Sequence, residues 1–103
     1  VHGDLYAHNI LWQPTSGQAL LSDFGAATLL PAHQPTLGHA LQALEVLAYG
    51  HLLNKLWALL APGQCLPPAV TSLVQACTAA VPAHRPDMAA VARTLQTLLP
   101  ATL

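Results

Sequence analysis

The chain has 103 residues, enough for one domain with a modest core. Hydrophobic residues make up 53% and charged residues only 7%, against roughly 25% charged in an ordinary soluble domain, so the chain is short of the charge needed to screen its own apolar surface. The net charge is −1, and the only strong bases, Lys55, Arg85 and Arg93, do not cluster, which argues against nucleic acid or an anionic membrane surface as partner.

In chain order, residues 1–9 read as a polar loop. Ile10-Leu11-Trp12 and Ala19-Leu20-Leu21-Ser22 read as short strands on either side of the turn-forming stretch Gln13 to Gln18, giving a hairpin over 10–22. Residues 23–36 follow as a loop with two prolines. From Leu37, apolar residues recur at 37, 41, 44, 48, 52, 56 and 59, a helical period, and Pro62-Gly63 ends the helix, placed at 37–61. Gln42, Glu45, His51, Asn54 and Lys55 interrupt its Leu/Ala run, which suits a buried helix better than a membrane span. Two shorter helices are expected over 68–99. The first starts at Pro67-Pro68, shows Val70, Leu73, Val74 and Cys77 on one face and stops at Pro82. The second follows Pro86-Asp87 with Met88, Val91, Leu95 and Leu98 or Leu99 inward, as far as Pro100.

The two cysteines, Cys65 and Cys77, fit no zinc spacing and are expected as free thiols in a cytoplasmic protein. The six histidines are scattered, with no pair at ligand spacing beside Cys, Asp or Glu. No signal peptide opens the sequence.

Two strings carry chemistry. His2-Gly3-Asp4-Leu5-Tyr6-Ala7-His8-Asn9 places an Asp and an Asn at the spacing of an H-x-D-L-x-x-x-N loop, and Asp23-Phe24-Gly25 follows after the hairpin. Together they resemble the catalytic loop and the metal-binding turn of protein-kinase-like phosphotransferases. Two later segments are similar to the same family: Glu45-Val46-Leu47-Ala48-Tyr49-Gly50 to the start of its central helix, and Pro82-Ala83-His84-Arg85-Pro86 to its P-x-x-R-P segment. The resemblance spans nearly the whole chain. It implies a mainly α fold with a small β-hairpin, the C-terminal lobe of a kinase, with the nucleotide-gripping N-terminal lobe as a partner that these residues do not include.

The resemblance implies ATP and Mg2+ as cofactors and a protein hydroxyl as acceptor. Asp4 would be the catalytic base and Asn9 and Asp23 the magnesium ligands. His2, Phe24, Gly25, Glu45 and Arg85 would be structural support. Phe24 would pack behind the site and set the pose of Asp23, and Gly25 would permit the turn. Glu45 would accept backbone N–H bonds from the catalytic loop, where the family uses Asp. Arg85, with no A-P-E glutamate to pair with, would pair with Glu45 or stay exposed. Gly3 stands where many kinases carry an arginine that grips a phosphorylated activation segment, so no such switch is expected at Thr28 or Thr36. Two other readings compete: a non-catalytic kinase-derived binding or scaffold module, and a small-molecule phosphotransferase of the aminoglycoside or choline type. The P-x-x-R-P segment favours a compact bacterial-type protein kinase over the latter. The long helix is expected to leave an apolar flank open, with self-association as its consequence.

Overall fold

A computed structural model describes residues 1–98. A polar loop closes with a 3₁₀ turn, Ala7–Asn9, and leads into the hairpin of β1 (Ile10–Gln13) and β2 (Gln18–Leu21); three helices follow, α1 (Pro35–Leu60), α2 (Pro68–Cys77) and α3 (Met88–Leu98), with a second 3₁₀ turn at Pro82–His84. The fold is mainly helical with one small antiparallel sheet, in which Ile10 faces Leu21, Leu11 faces Leu20 and Trp12 faces Ala19.

The boundaries depart from the sequence reading in ways the local chemistry explains. Helix α1 begins at Pro35, two residues early, because proline's fixed φ and missing N–H suit a first helical position. Helix α2 stops at Cys77, well before Pro82. The Thr78 hydroxyl donates to the Val74 carbonyl at 2.7 Å, and the Thr78 N–H reaches the same oxygen at 3.0 Å, so the last turn is closed locally. Helix α3 begins at Met88, after Pro86-Asp87, and Asp87 acts as its N-cap, its Oδ1 accepting from the Ala90 N–H at 2.7 Å. Of the expected inward positions on α3, Leu99 lies outside the described residues, as does Pro100.

The core sits where the three helices meet. Val46 of α1, Leu73 and Cys77 of α2 and Val91 of α3 are buried together, with Tyr49, Leu53, Met88 and Leu95 packed around them. Gly50 of α1 lets the helices approach: a Cβ there would lie 2.8 Å from both the Cys77 Cβ and the Thr78 Cγ2. The face of α1 that enters the core therefore runs through 46, 49, 50 and 53. The leucine stripe picked out by periodicity is split, with Leu52 buried and Leu37, Leu44 and Leu59 exposed. The expected open apolar flank is thus present on α1. The hairpin adds to it, since Leu11, Trp12 and Leu20 are all exposed, Trp12 at 61%. Both cysteines are free, Cys65 at the surface and Cys77 in the core. Among the described residues no helix is long and apolar enough to cross a membrane.

Candidate active site

The first nine residues have no regular secondary structure until their closing 3₁₀ turn, so their shape must be imposed by side chains. Glu45 supplies the main constraint. It lies on α1 next to the core residue Val46 and is only 9% exposed. Its Oε2 accepts the backbone N–H of His2, and the N–H of Gly3 points between its two oxygens, 3.2 Å from Oε2 and 3.4 Å from Oε1. A buried carboxylate with two N–H donors is a charge-assisted clamp. It joins the loop to the helix across 43 residues of sequence.

His2 makes the second constraint. Its ring Nδ1 accepts from the Asp4 N–H at 3.2 Å, which leaves Nε2 protonated to donate to the Ser22 carbonyl at 2.8 Å. One buried imidazole thereby connects the Asp4 backbone to the end of the hairpin. The hairpin is closed at the same point by Ser22, whose N–H and hydroxyl both donate to the Asn9 carbonyl, at 2.7 and 2.8 Å. Asn9 and Asp23 are thus held at one end of the hairpin, as sequence spacing anticipates.

Gly3 has a structural reason to be glycine. Its φ is +84°, and a Cβ there would stand 2.4 Å from the Ala26 carbonyl oxygen. No arginine fits at this position in this conformation, whatever its use elsewhere. The loop also pairs with the segment after the hairpin: the Thr28 N–H donates to the Val1 carbonyl at 3.0 Å. Sequence reading missed the roles of Ser22 and Ala26: Ser22 acts through its N–H, carbonyl and hydroxyl and Ala26 through its carbonyl, and neither belongs to a motif.

Asp4 and Asn9 meet directly. The Asn9 amide nitrogen donates to the Asp4 carbonyl at 2.8 Å and to Asp4 Oδ2 at 3.1 Å. With its N–H₂ group spent on Asp4, Asn9 keeps Oδ1 as a hard acceptor, and it is itself buried. Asp4 keeps Oδ1 of its carboxylate. Asp23 is exposed and adopts φ +59°, the only described non-glycine residue at positive φ. Its Oδ1 accepts the Gly25 N–H at 3.3 Å, a local turn that steadies the left-handed backbone. Strained residues of this kind cluster at functional sites. For a divalent cation this end of the hairpin offers the Asn9 Oδ1 and the Asp23 carboxylate, a sparse oxygen set of the type magnesium accepts when water and phosphate complete its shell. Among the described residues no group of three His, Cys, Asp or Glu side chains could hold a metal ion by itself.

Two expectations for supporting residues are corrected. Phe24 does not pack behind the site: it is 62% exposed, in a T-shaped contact with the His2 ring, centroids 5.2 Å apart. Arg85 neither pairs with Glu45 nor points into solvent. Its Nε donates to the Ala79 carbonyl at 2.9 Å and its Nη1 to the Ala43 carbonyl at 3.0 Å, which ties the α2–α3 connection to α1 two residues before Glu45. A guanidinium can satisfy carbonyls in this way through its fixed fork of donors.

Beside Asp4 a groove of about 640 Å³ runs between the loop and α1, with Asp4, Tyr6 and His8 on one wall and His51, Leu52 and Lys55 on the other. No family model matches the sequence, and no curated protein matches it closely enough to count as a relative.

Proposed function

We propose that the chain is the C-terminal-lobe part of an ATP-dependent protein kinase, which transfers the γ-phosphoryl group to a protein hydroxyl. The observation that carries this reading is the Asp4–Asn9 pair on a loop clamped by Glu45. Phosphoryl transfer asks a protein for position and charge compensation more than for covalent chemistry. Asp4 faces the acceptor with Oδ1 and orients the hydroxyl, taking its proton as the new P–O bond forms and the bond to the departing ADP oxygen breaks. Asn9 holds the Asp4 carboxylate in one pose and leaves its own Oδ1 toward the phosphates. Asp23, one residue on from the Ser22 that bonds the Asn9 carbonyl, would bring a carboxylate oxygen to the same end of the hairpin. Magnesium, when bound to Asn9 and Asp23, would neutralise the charge on the terminal phosphates.

The clamp argues for catalysis over a purely structural loop. Burying Glu45 costs desolvation, and what it fixes is the backbone on which Asp4 sits. In the reading of a scaffold module, nothing needs Asp4 and Asn9 held to one geometry. The grip on the nucleotide's base and phosphates belongs, in this proposal, to an N-terminal lobe outside these residues.

The test is transfer of labelled γ-phosphate from ATP with Mg2+ by the gene product that carries this chain, offered protein substrates and, separately, aminoglycosides and choline. Asp4→Asn is expected to cut turnover by about a hundredfold or more, the usual size of a general-base contribution, with nucleotide affinity retained. Turnover near wild type in Asp4→Asn removes Asp4 from the chemistry. Transfer to a small molecule alone replaces the protein acceptor, and no transfer to any acceptor favours the scaffold reading.

A further inference from the structure

The groove beside Asp4 has a charge layout that the catalytic reading does not use. Its loop wall carries Asp4 as the only acid, and its α1 wall carries Lys55, one of just three Lys or Arg residues in the whole chain, with His51 one helical turn before it. His8 faces the same space, its ring 4.7 Å from that of Tyr6. The site is therefore dipolar: a carboxylate where a hydroxyl proton would be received, and a cation with two imidazoles further along.

The volume, about 640 Å³, falls in the range of ligand pockets. The rim distinguishes a small molecule from a chain segment. Small-molecule sites bury most of their ligand among few converging polar groups. Here Tyr6, His8, His51 and Lys55 are all exposed, and only Leu52 forms a buried floor. An open trough with an apolar floor and polar edges suits an extended peptide lying across it.

We propose that this groove seats the acceptor segment, and that Lys55, with His51, selects a protein hydroxyl flanked by acidic residues. The inference rests on the phosphoryl-transfer reading, because that reading puts the hydroxyl at Asp4. The acidic side chain lies toward Lys55 while the hydroxyl lies at Asp4. A basic segment meets a cation on the α1 wall with no carboxylate beyond Asp4 to offset it.

The test is a titration of the full chain with a serine octapeptide flanked by Asp and Glu, and with its Lys-flanked counterpart, followed by backbone amide shifts. The acidic peptide is expected to move amides in 3–8 and 48–55, to bind more weakly as salt rises, and to bind about tenfold more weakly to Lys55→Glu, which then prefers the Lys-flanked peptide. Lys55→Met, which keeps the stem without the charge, is expected to lose the preference without inverting it. Equal binding of the two peptides, or shifts confined to other surfaces, overturns the proposal. Phosphate transfer from ATP by the gene product that carries this chain, assayed with the same two peptides, separates the readings. Transfer without acidic preference overturns the groove and leaves the phosphoryl-transfer reading. Acidic-peptide binding without transfer overturns that reading and upholds the groove's charge selection.

Discussion

Replacing Glu45 with Ala isolates the clamp on which the loop depends. Two N–H donors lose their acceptor. That of His2 is buried, and a hydrogen bond to a charged group contributes about 1.5–3 kcal/mol. That of Gly3 is longer and shared between two oxygens, at 3.2 and 3.4 Å, so its share is set at about 0.5–1 kcal/mol. Removal of the buried carboxylate returns part of its desolvation cost, which brings the net loss to about 2–3 kcal/mol. In a domain of this size 1 kcal/mol moves the melting temperature by about 4–8 °C, so thermal unfolding is expected at least 8 °C lower. Hydrogen exchange reports the same event locally: the His2 and Gly3 amide protons, protected in the parent, exchange freely in Glu45→Ala, while those of α2 and α3 speed up only by the loss of global stability. Glu45→Gln, which keeps an acceptor oxygen without the charge, is expected to lose about half as much. A melting temperature within about 2 °C of the parent, with both amides still protected, would refute the clamp.

Helix α1 contains two glycines that should respond with opposite sign. Gly50→Ala puts a methyl 2.8 Å from two side-chain atoms of α2 and its cap, an overpacking cost of about 1–3 kcal/mol that exceeds the roughly 1 kcal/mol gained in helix propensity. Gly38→Ala meets nothing within 4 Å and is expected to raise stability by up to about 1 kcal/mol; urea unfolding of both variants checks the pair. Burial pushes the Cys77 thiol above its ordinary value of 9.0, and burial together with Cys77 pushes the Tyr49 phenol above 10.0. A folded pKa above the unfolded one gives stability that is complete below the unfolded value and lost as pH rises through the folded value. Melting temperatures should therefore hold from pH 7 to the unfolded thiol value of 9.0 and decline beyond it, with a shallower decline in Tyr49→Phe. A flat profile to pH 11 would contradict the assignment. Trp12→Ser with Leu20→Ser removes two exposed apolar groups of the hairpin and is expected to weaken concentration-dependent association in sedimentation experiments; a parent chain monomeric at every concentration would show that the exposed face drives no self-association.

The elements were legible in the sequence because their signals are local. Turn residues between two apolar triplets gave the hairpin, and proline and glycine bounded the helices to within a few residues. The face of α1 was not legible in the same way. Leucine period singled out 37, 44 and 59, but burial followed Val46, Tyr49, Gly50 and Leu53, because what enters this core is decided by how closely α2 can approach, and Gly50 permits that approach. In the site, Asp4, Asn9, Asp23 and Glu45 were singled out by resemblance to family motifs, while the Ser22 hydroxyl on the Asn9 carbonyl was not. Residues that act through their backbone left no such trace: the Ser22 and Ala26 carbonyls and the left-handed turn at Gly3 emerge only in three dimensions. Arg85 escaped for a related reason, since its partners are two carbonyl oxygens, which every residue has.

The site's supports also separate two properties that the motifs run together. Everything that fixes Asp4 and Asn9 comes from the described residues: Glu45 on α1, the His2 ring, the Ser22 and Asn9 backbone. Phe24 is 62% exposed, and Asp23 stands in solvent on a left-handed backbone secured by one local bond. On the proposed reading, the half of the site that would meet the acceptor is therefore preorganised, and Asp23, which would meet the nucleotide's metal, is held by one local bond. On that reading the groove beside Asp4 should keep its geometry in this chain, while Asp23, with one local hydrogen bond, should be the looser element. Amide exchange at Gly3, Asp4 and Asn9 against Asp23 and Phe24 reads that difference directly: protection at the first three with rapid exchange at the other two follows from the division, and equal protection in both would contradict it.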